Sequence, residues 1–369
     1  MESTTGFARV TLLATTLLFA GCLGPLTRAD DAPEVGALAP VALCAAGEGT
    51  LSELWSVDNG HGALHAMALA PMGSVALAGD DGSIKVWRVD ADGAALAATA
   101  LAPGGLSVTY GQQFGSGAVV RALAIDADGA TVVGGDDSGL VALLDAADGT
   151  VLGSTVPGFD PVTAVAQSDD GALVASADAS FGGNLRVWEP GGTLSDPLPT
   201  ALWSARAVAF VPGTHALLTA GDSYGVPTVE LRPADALATP AATWQDPAAS
   251  ATIRALAWRA DLSGLVAVGG GFGTGVLVSL TQDDLADMRP VPVVHADGHD
   301  PVGVALVAGA GLFVTAGSEG TLRFWDLNTV AALLTLDVPA PVSVDVDPAG
   351  VLITAAGADG VLRLYGCVD

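Results

Sequence analysis

Gly221-Asp222-Ser223-Tyr224-Gly225 has the G-x-S-x-G spacing of a nucleophile elbow, which sets a Ser on a sharp strand-to-helix turn for acyl transfer. Pro227 and the following run predict a strand instead of a helix, and no acid and His follow in the required order, so the segment reads as a loop between two strands. His295 and His299 have the i, i+4 spacing that suits zinc on a helix, but Ala-Asp-Gly between them reads as loop. Asp90-Ala91-Asp92-Gly93 and Asp126-Ala127-Asp128-Gly129 share the opening of a calcium loop and lack its fifth-position oxygen ligand and terminal Glu. Both fall where hairpin turns are needed, and Asp-Gly is preferred turn chemistry. Lys85 is the only lysine, which leaves little scope for lysine catalysis or a phosphate cradle. No active site assembles from these residues, and no metal or cofactor is expected.

Three cysteines remain. Residues 10–21 form an apolar run of 12, shorter than the roughly 20 residues of a membrane-spanning helix, and read as a signal-peptide core. Leu18-Phe19-Ala20-Gly21-Cys22 resembles the lipobox of bacterial lipoproteins, although Phe19 stands where that family usually has Leu and only Arg9 precedes the run against Glu2. The resemblance implies that residues 1–21 are removed, that Cys22 is lipidated, and that residues 22–45 are a tether reaching roughly 25 to 30 Å. The alternative is a signal cleaved elsewhere or an ordinary apolar N-terminus. The expected place is the bacterial cell envelope, on a periplasmic or surface face of a membrane.

With 369 residues, 50% apolar and 14% charged, the chain has ample material for a buried core. Asp plus Glu is 40 against 13 for Lys plus Arg, and a net charge of −27 excludes a phosphate backbone as partner. The 48 Gly and 21 Pro with 5% aromatics point to many short strands and turns. One phrase recurs seven times: a Val/Ala-rich strand, a turn, a strand ending in Ala-Gly or Gly-Gly, a turn, and a third strand. The third strands end at Trp87, Leu144, Trp188, Arg232, Leu280, Trp325 and Tyr365, at intervals of 57, 44, 44, 48, 45 and 40 residues. That spacing matches a four-stranded propeller blade, with one insertion in the first interval.

The repeats resemble the WD-repeat family. Gly60-His61 to Trp87 and Gly298-His299 to Trp325-Asp326 both place a Trp 26 residues after the His, and the other repeats are degenerate. The resemblance, over residues 51–367, implies an all-β ring of seven antiparallel blades within a domain of residues 46–369. It also accounts for His299 as the Gly-His of its blade. The last repeat supplies three strands, and Leu51–Val57 is the missing fourth, so the N-terminal strand is expected to complete the last blade. Antiparallel pairing would then bring Cys44 to Cys367, and an exported compartment would let a disulfide persist.

The function this implies is a monomeric, non-enzymatic, lipid-anchored scaffold that binds a protein or peptide. A spacer in an envelope complex is a third reading, and the alternative from another class is a propeller enzyme of lactonase or quinoprotein type with its site in the central channel. The expected binding face, by resemblance, is the end where loops between strands two and three open. Phe181, Tyr224 and Phe272 each precede a Gly in such a loop, and the insertion contributes Tyr110 and Phe114. Arg121, Arg206 and Arg254 recur at the start of first strands, near the channel mouth, with Thr163 in the gap. Aromatics and Arg are enriched in hot spots. The competing reading folds each aromatic onto its own blade and pairs each Arg with a nearby turn acid such as Asp136, Asp178 or Asp222.

Overall fold

The computed structural model describes residues 27–28, 39–58, 62–70, 74–80, 82–88, 97–101, 119–126, 128–155, 160–180, 185–190, 196–258, 264–271, 274–281, 293–307, 309–347 and 349–368. Seven antiparallel sheets follow one another along the chain. Blade one is Leu64–Leu69, Ser74–Gly79, Ile84–Arg88 and Ala97–Leu101, and blade two is Val120–Ile125, Thr131–Asp136, Val141–Asp145 and Val151–Ser154. Blade three is Val162–Gln167, Val174–Asp178 and Leu185–Trp188, with a single bridge from Leu185 to Leu198 at its outer edge among the described residues. Blade four is Ser204–Phe210, Leu217–Ser223, Val226–Arg232 and Ala242–Gln245. Blade five is Thr252–Trp258, Gly264–Gly271, Thr274–Thr281 and Val293–Asp297. Blade six is Pro301–Val307, Leu312–Gly317, Thr321–Asp326 and Ala332–Asp337. Blade seven is Pro341–Val346, Leu352–Gly357 and Val361–Val368, completed by Thr50–Asp58 from the other end of the chain. The seven-bladed propeller and its N-terminal closing strand are as expected.

The core lies between blades. Seven apolar clusters each join two neighbours, from Ile84 and Val86 with Leu140 and Leu144 to Val57 and Leu64 with Leu362 and Leu364. A middle strand is therefore sandwiched on both faces and buried along its length, as in Leu312–Gly317, instead of alternating. The outer strand of blade six faces water and is mostly exposed.

Every innermost strand carries a bulge near its start. The pairing with the second strand skips one residue in each blade: His65, Arg121, Thr163, Arg206, Arg254, Val302 and Val342. A bulge leaves the extra residue outside the ladder and re-aims its side chain. The glycines ending second strands make room for it. A Cβ on Gly221 would lie 1.8 Å from the Ser204 carbonyl oxygen, and one on Gly269 would lie 2.0 Å from that of Thr252.

Cys44 and Cys367 form a disulfide with Cα atoms 5.8 Å apart, within the apolar cluster between blades six and seven. Cys44 belongs to a short helix, Val41–Ala45, whose Val41 is fully buried, and Ala39 bridges to Cys367. Residues 39–45, assigned to the tether from the sequence, are thus packed on the last blade, and Thr27–Arg28 pairs with Trp55 and Ser56. Cys22 lies outside the described residues. Among the described residues no helix is long and apolar enough to cross a membrane.

Candidate binding face at the channel mouth

The bulged residues stand where each innermost strand begins, so they ring the channel at the end where loops between strands two and three open. His65, Arg121, Thr163 and Arg206, with Pro161, Val162 and Ala179, line a cavity of about 480 Å³ there. Arg121 and Arg206 are exposed. Their neighbours do little to neutralise them. The Arg206 Nε donates to Ser204 Oγ at 2.9 Å, a neutral partner. Arg121 acts on Asp80 through its charge, and that carboxylate is pulled below the usual range chiefly by His65, whose ring lies 2.6 Å away, and by the Ala63 N–H. Thr163 donates its hydroxyl to the Ala205 carbonyl at 2.7 Å. Arg254 differs: its guanidinium pairs with Asp300 at 2.7 Å.

The carboxylates expected to hold these arginines are taken up by their own turns. Asp136 accepts from the N–H groups of Ser138 and Leu140 and from the Ser138 hydroxyl, and burial pushes its pKa up. Asp178 accepts from the Ser180 N–H and hydroxyl. Asp222 accepts from the Gly225 N–H at 2.8 Å and the Thr252 hydroxyl at 3.0 Å.

Tyr224 is 78% exposed, so it does not fold down on its blade. It and Gly225 form a two-residue hairpin in which both have positive φ, 56° and 83°. Such a turn favours Asn-Gly, and a bulky residue in that conformation is strained. The Trp203 ring lies beside it, centroids 4.5 Å apart and planes tilted by 39°, while the Trp203 backbone N–H donates to the Asp222 carbonyl at 2.7 Å. Trp203 was not legible as a site residue because it precedes no Gly; its signal was its place just ahead of a first strand, three residues before Arg206. Tyr110, Phe114, Phe181 and Phe272 lie outside the described residues.

The motifs with catalytic or metal-binding spacing that fall among the described residues are taken up by the fold's own pairing; Asp90-Ala91-Asp92-Gly93 lies outside the described residues. Ser223 pairs with Val226 across the hairpin and a strand follows. Asp126 and Asp128 accept from Thr131 and Ala130 in the turn between strands one and two of blade two. His295 sits in a strand opposite Val276. His299 is fully buried, with Nδ1 donating to Glu319 and Nε2 accepting from the Thr315 hydroxyl at 2.8 Å, whose oxygen in turn accepts from Trp325 Nε1 at 2.8 Å. Burial pulls the His299 pKa down and keeps the ring neutral; burial alone would raise Glu319, but its bonds from Thr321, His299 and the Asp300 N–H hold it at about 2. Among the described residues no three His, Cys, Asp or Glu side chains are grouped to hold a metal.

Blade four solves the same packing problem differently. Arg232 occupies the position of Trp325 and Thr219 that of Thr315. The Thr219 hydroxyl bonds Glu230, whose carboxylate pairs with Arg232 at 2.6 Å, both side chains fully buried. The pair also holds the chain entering the blade, through Thr200, the Ala201 N–H and the Pro199 carbonyl.

The family described as "WD domain, G-beta repeat" matches residues 52–88 and 149–189. Each matched segment runs from an outer strand to the third strand of the next blade, so it spans a joint between blades. No curated protein matches. Among solved structures, one titled "Crystal Structure of Mitotic Checkpoint Complex" is similar with a TM-score of 0.66 at 18% identity, covering 94% of this chain and 100% of that one. At that identity the likeness concerns the fold.

Proposed function

We propose that the chain is a non-enzymatic scaffold that binds a protein or peptide partner over the mouth of its channel, on the face carried by blades one to four. The observation that carries this reading is the exposed Trp203–Tyr224 pair, with Tyr224 on a strained turn at the same end of the ring as the exposed Arg121 and Arg206. Strain kept at an exposed aromatic supports a role outside the fold, because Asn at that turn would serve the hairpin better. A propeller fold shared with a structure solved within a complex agrees with this.

The scaffold is held at a bacterial envelope membrane by lipid on Cys22 and acts as a monomer. The lipobox-like sequence supports the anchor, and the Cys44–Cys367 disulfide supports an oxidising, exported location. Cys22→Ser should release the protein from the membrane fraction or leave the precursor uncleaved. Capture from crosslinked cells tests the scaffold: Tyr224→Ala and Trp203→Ala should each weaken recovery of the partner by roughly 1 to 2 kcal/mol with the melting temperature nearly unchanged. Loss of folding without selective loss of capture would refute it.

A further inference from the structure

Seven bulges place seven side chains at one level of the channel, and their chemistry is unequal around the ring. Blades one to five present His65, Arg121, Thr163, Arg206 and Arg254, while blades six and seven present Val302 and Val342. Within the polar arc, Arg254 is matched by Asp300 and His65 is bound to Asp80. Among the described residues of this ring, that leaves Arg121 and Arg206, both exposed and both lining the same cavity, as the charges available to a ligand. They stand on a chain of net charge −27, so the mouth is a local cationic spot in an anionic shell.

We infer that this mouth is an anion subsite, which receives a single carboxylate from an acidic side chain of a peptide segment; the inference rests on the partner-binding reading above and names what the partner presents. The charge balance decides the class of anion. Asp80, whose carboxylate feels the Arg121 charge, offsets part of the positive charge at the mouth, which suits a monoanion better than a dianionic phosphoryl group. An extended polyanion would meet repulsion from the surrounding shell as soon as it left the mouth. The planar guanidinium fork matches a carboxylate with two parallel hydrogen bonds. Trp203 and Tyr224 on the rim, and Val302 and Val342 on the opposite arc, give apolar flanks to an acidic residue between apolar neighbours.

The test uses the full chain and calorimetric titration of a capped Phe-Glu-Phe tripeptide, its Phe-Gln-Phe counterpart, and inorganic phosphate. The expected result is saturable one-to-one binding of the Glu peptide, at least tenfold tighter than the Gln peptide. Arg121→Gln and Arg206→Gln should each lower that affinity tenfold or more. The double change Arg254→Gln with Asp300→Asn, which leaves net charge unaltered, should shift it less than twofold. Equal affinity for the Glu and Gln peptides, or indifference to both single changes, would overturn the subsite, as would binding of phosphate without the Glu peptide. If the peptide fails while crosslinked capture still depends on Tyr224, the subsite falls and the scaffold reading stands.

Discussion

Blades four and six have the same strand order, and they spend their polar and aromatic residues in opposite directions. In blade six the acid of the turn between strands two and three, Glu319, points inward to His299, and the chain Glu319–His299–Thr315–Trp325 ties that turn to the third strand. In blade four the corresponding turn caps itself through Asp222 and turns its aromatic, Tyr224, out to solvent against Trp203. The third strand is then secured without a Trp, by the buried Glu230–Arg232 pair. A blade can therefore lose the motif that marks it in sequence and keep its geometry, provided another network ties down the same strand. What is freed at the turn becomes available to a partner.

The largest expected effect in blade four comes from Arg232→Ala. It leaves Glu230 buried without a counter-charge and should cost roughly 3 to 5 kcal/mol, read as a large drop in the urea midpoint. Replacing the pair together, Glu230→Leu with Arg232→Met, should cost much less, since well-packed apolar groups substitute for buried ion pairs. Cost from the single change equal to that from the double would mean the pair is not the device that holds blade four.

Opening the disulfide probes the side of the ring away from blade four. Cys44 and Cys367 pack with Phe324 between blades six and seven, and their link spans 323 residues. Cys44→Ser with Cys367→Ser should lower stability by roughly 2 to 5 kcal/mol while partner capture at blade four is retained under conditions where the protein stays folded. Capture lost in step with the bond would show that the binding face and the closure are not separate.

Asp345 gives a pH-dependent test within blade seven. Burial pushes its pKa up to about 7, against bonds from the Val346 and Leu69 N–H groups. The folded state then holds a proton that the unfolded chain gives up near its ordinary value, 3.8. Its contribution is full below about pH 4 and is lost as pH rises toward and through 7. Asp345→Asn should flatten that part of the stability profile and stabilise the protein at pH 8 by as much as about 4 kcal/mol, at about 1.4 kcal/mol for each pH unit between 3.8 and about 7. An unchanged slope between pH 4 and 8 would remove Asp345 as its cause.

The smallest expected change in stability is the most informative about function. Tyr224→Asn suits the positive-φ turn and should raise stability by a few tenths of a kcal/mol while weakening capture. A variant that is more stable and binds less well separates the aromatic's role from the fold.

The repeat period, the closing strand and the disulfide were legible because hairpin chemistry is local and the two chain ends carry complementary fragments of one blade. The Ala-Gly and Gly-Gly endings of the second strands were visible too, but not their reason, since a bulge opposite Gly221 or Gly269 exists only once strands pair. Arg232 read as a missing aromatic because its partner, Glu230, lies two residues away on a strand whose burial depends on the neighbouring blade. Helix Val41–Ala45 is too short to show a period, so residues 39–45 read as tether. At the mouth, the recurrence of Arg121, Arg206 and Arg254 was evident, whereas only geometry separates Arg254, paired with Asp300, from the other two.

On the proposed function, the partner sits on the face that bears Tyr224. The most direct test installs a photo-crosslinking residue at Tyr224 and, separately, at Ala147, an exposed position in the turn between the third and fourth strands of blade two, at the other end of the ring. A discrete crosslinked species should form from position 224, be absent from position 147 and be diminished by Arg206→Gln. The same species from both positions, or from position 147 alone, would contradict it.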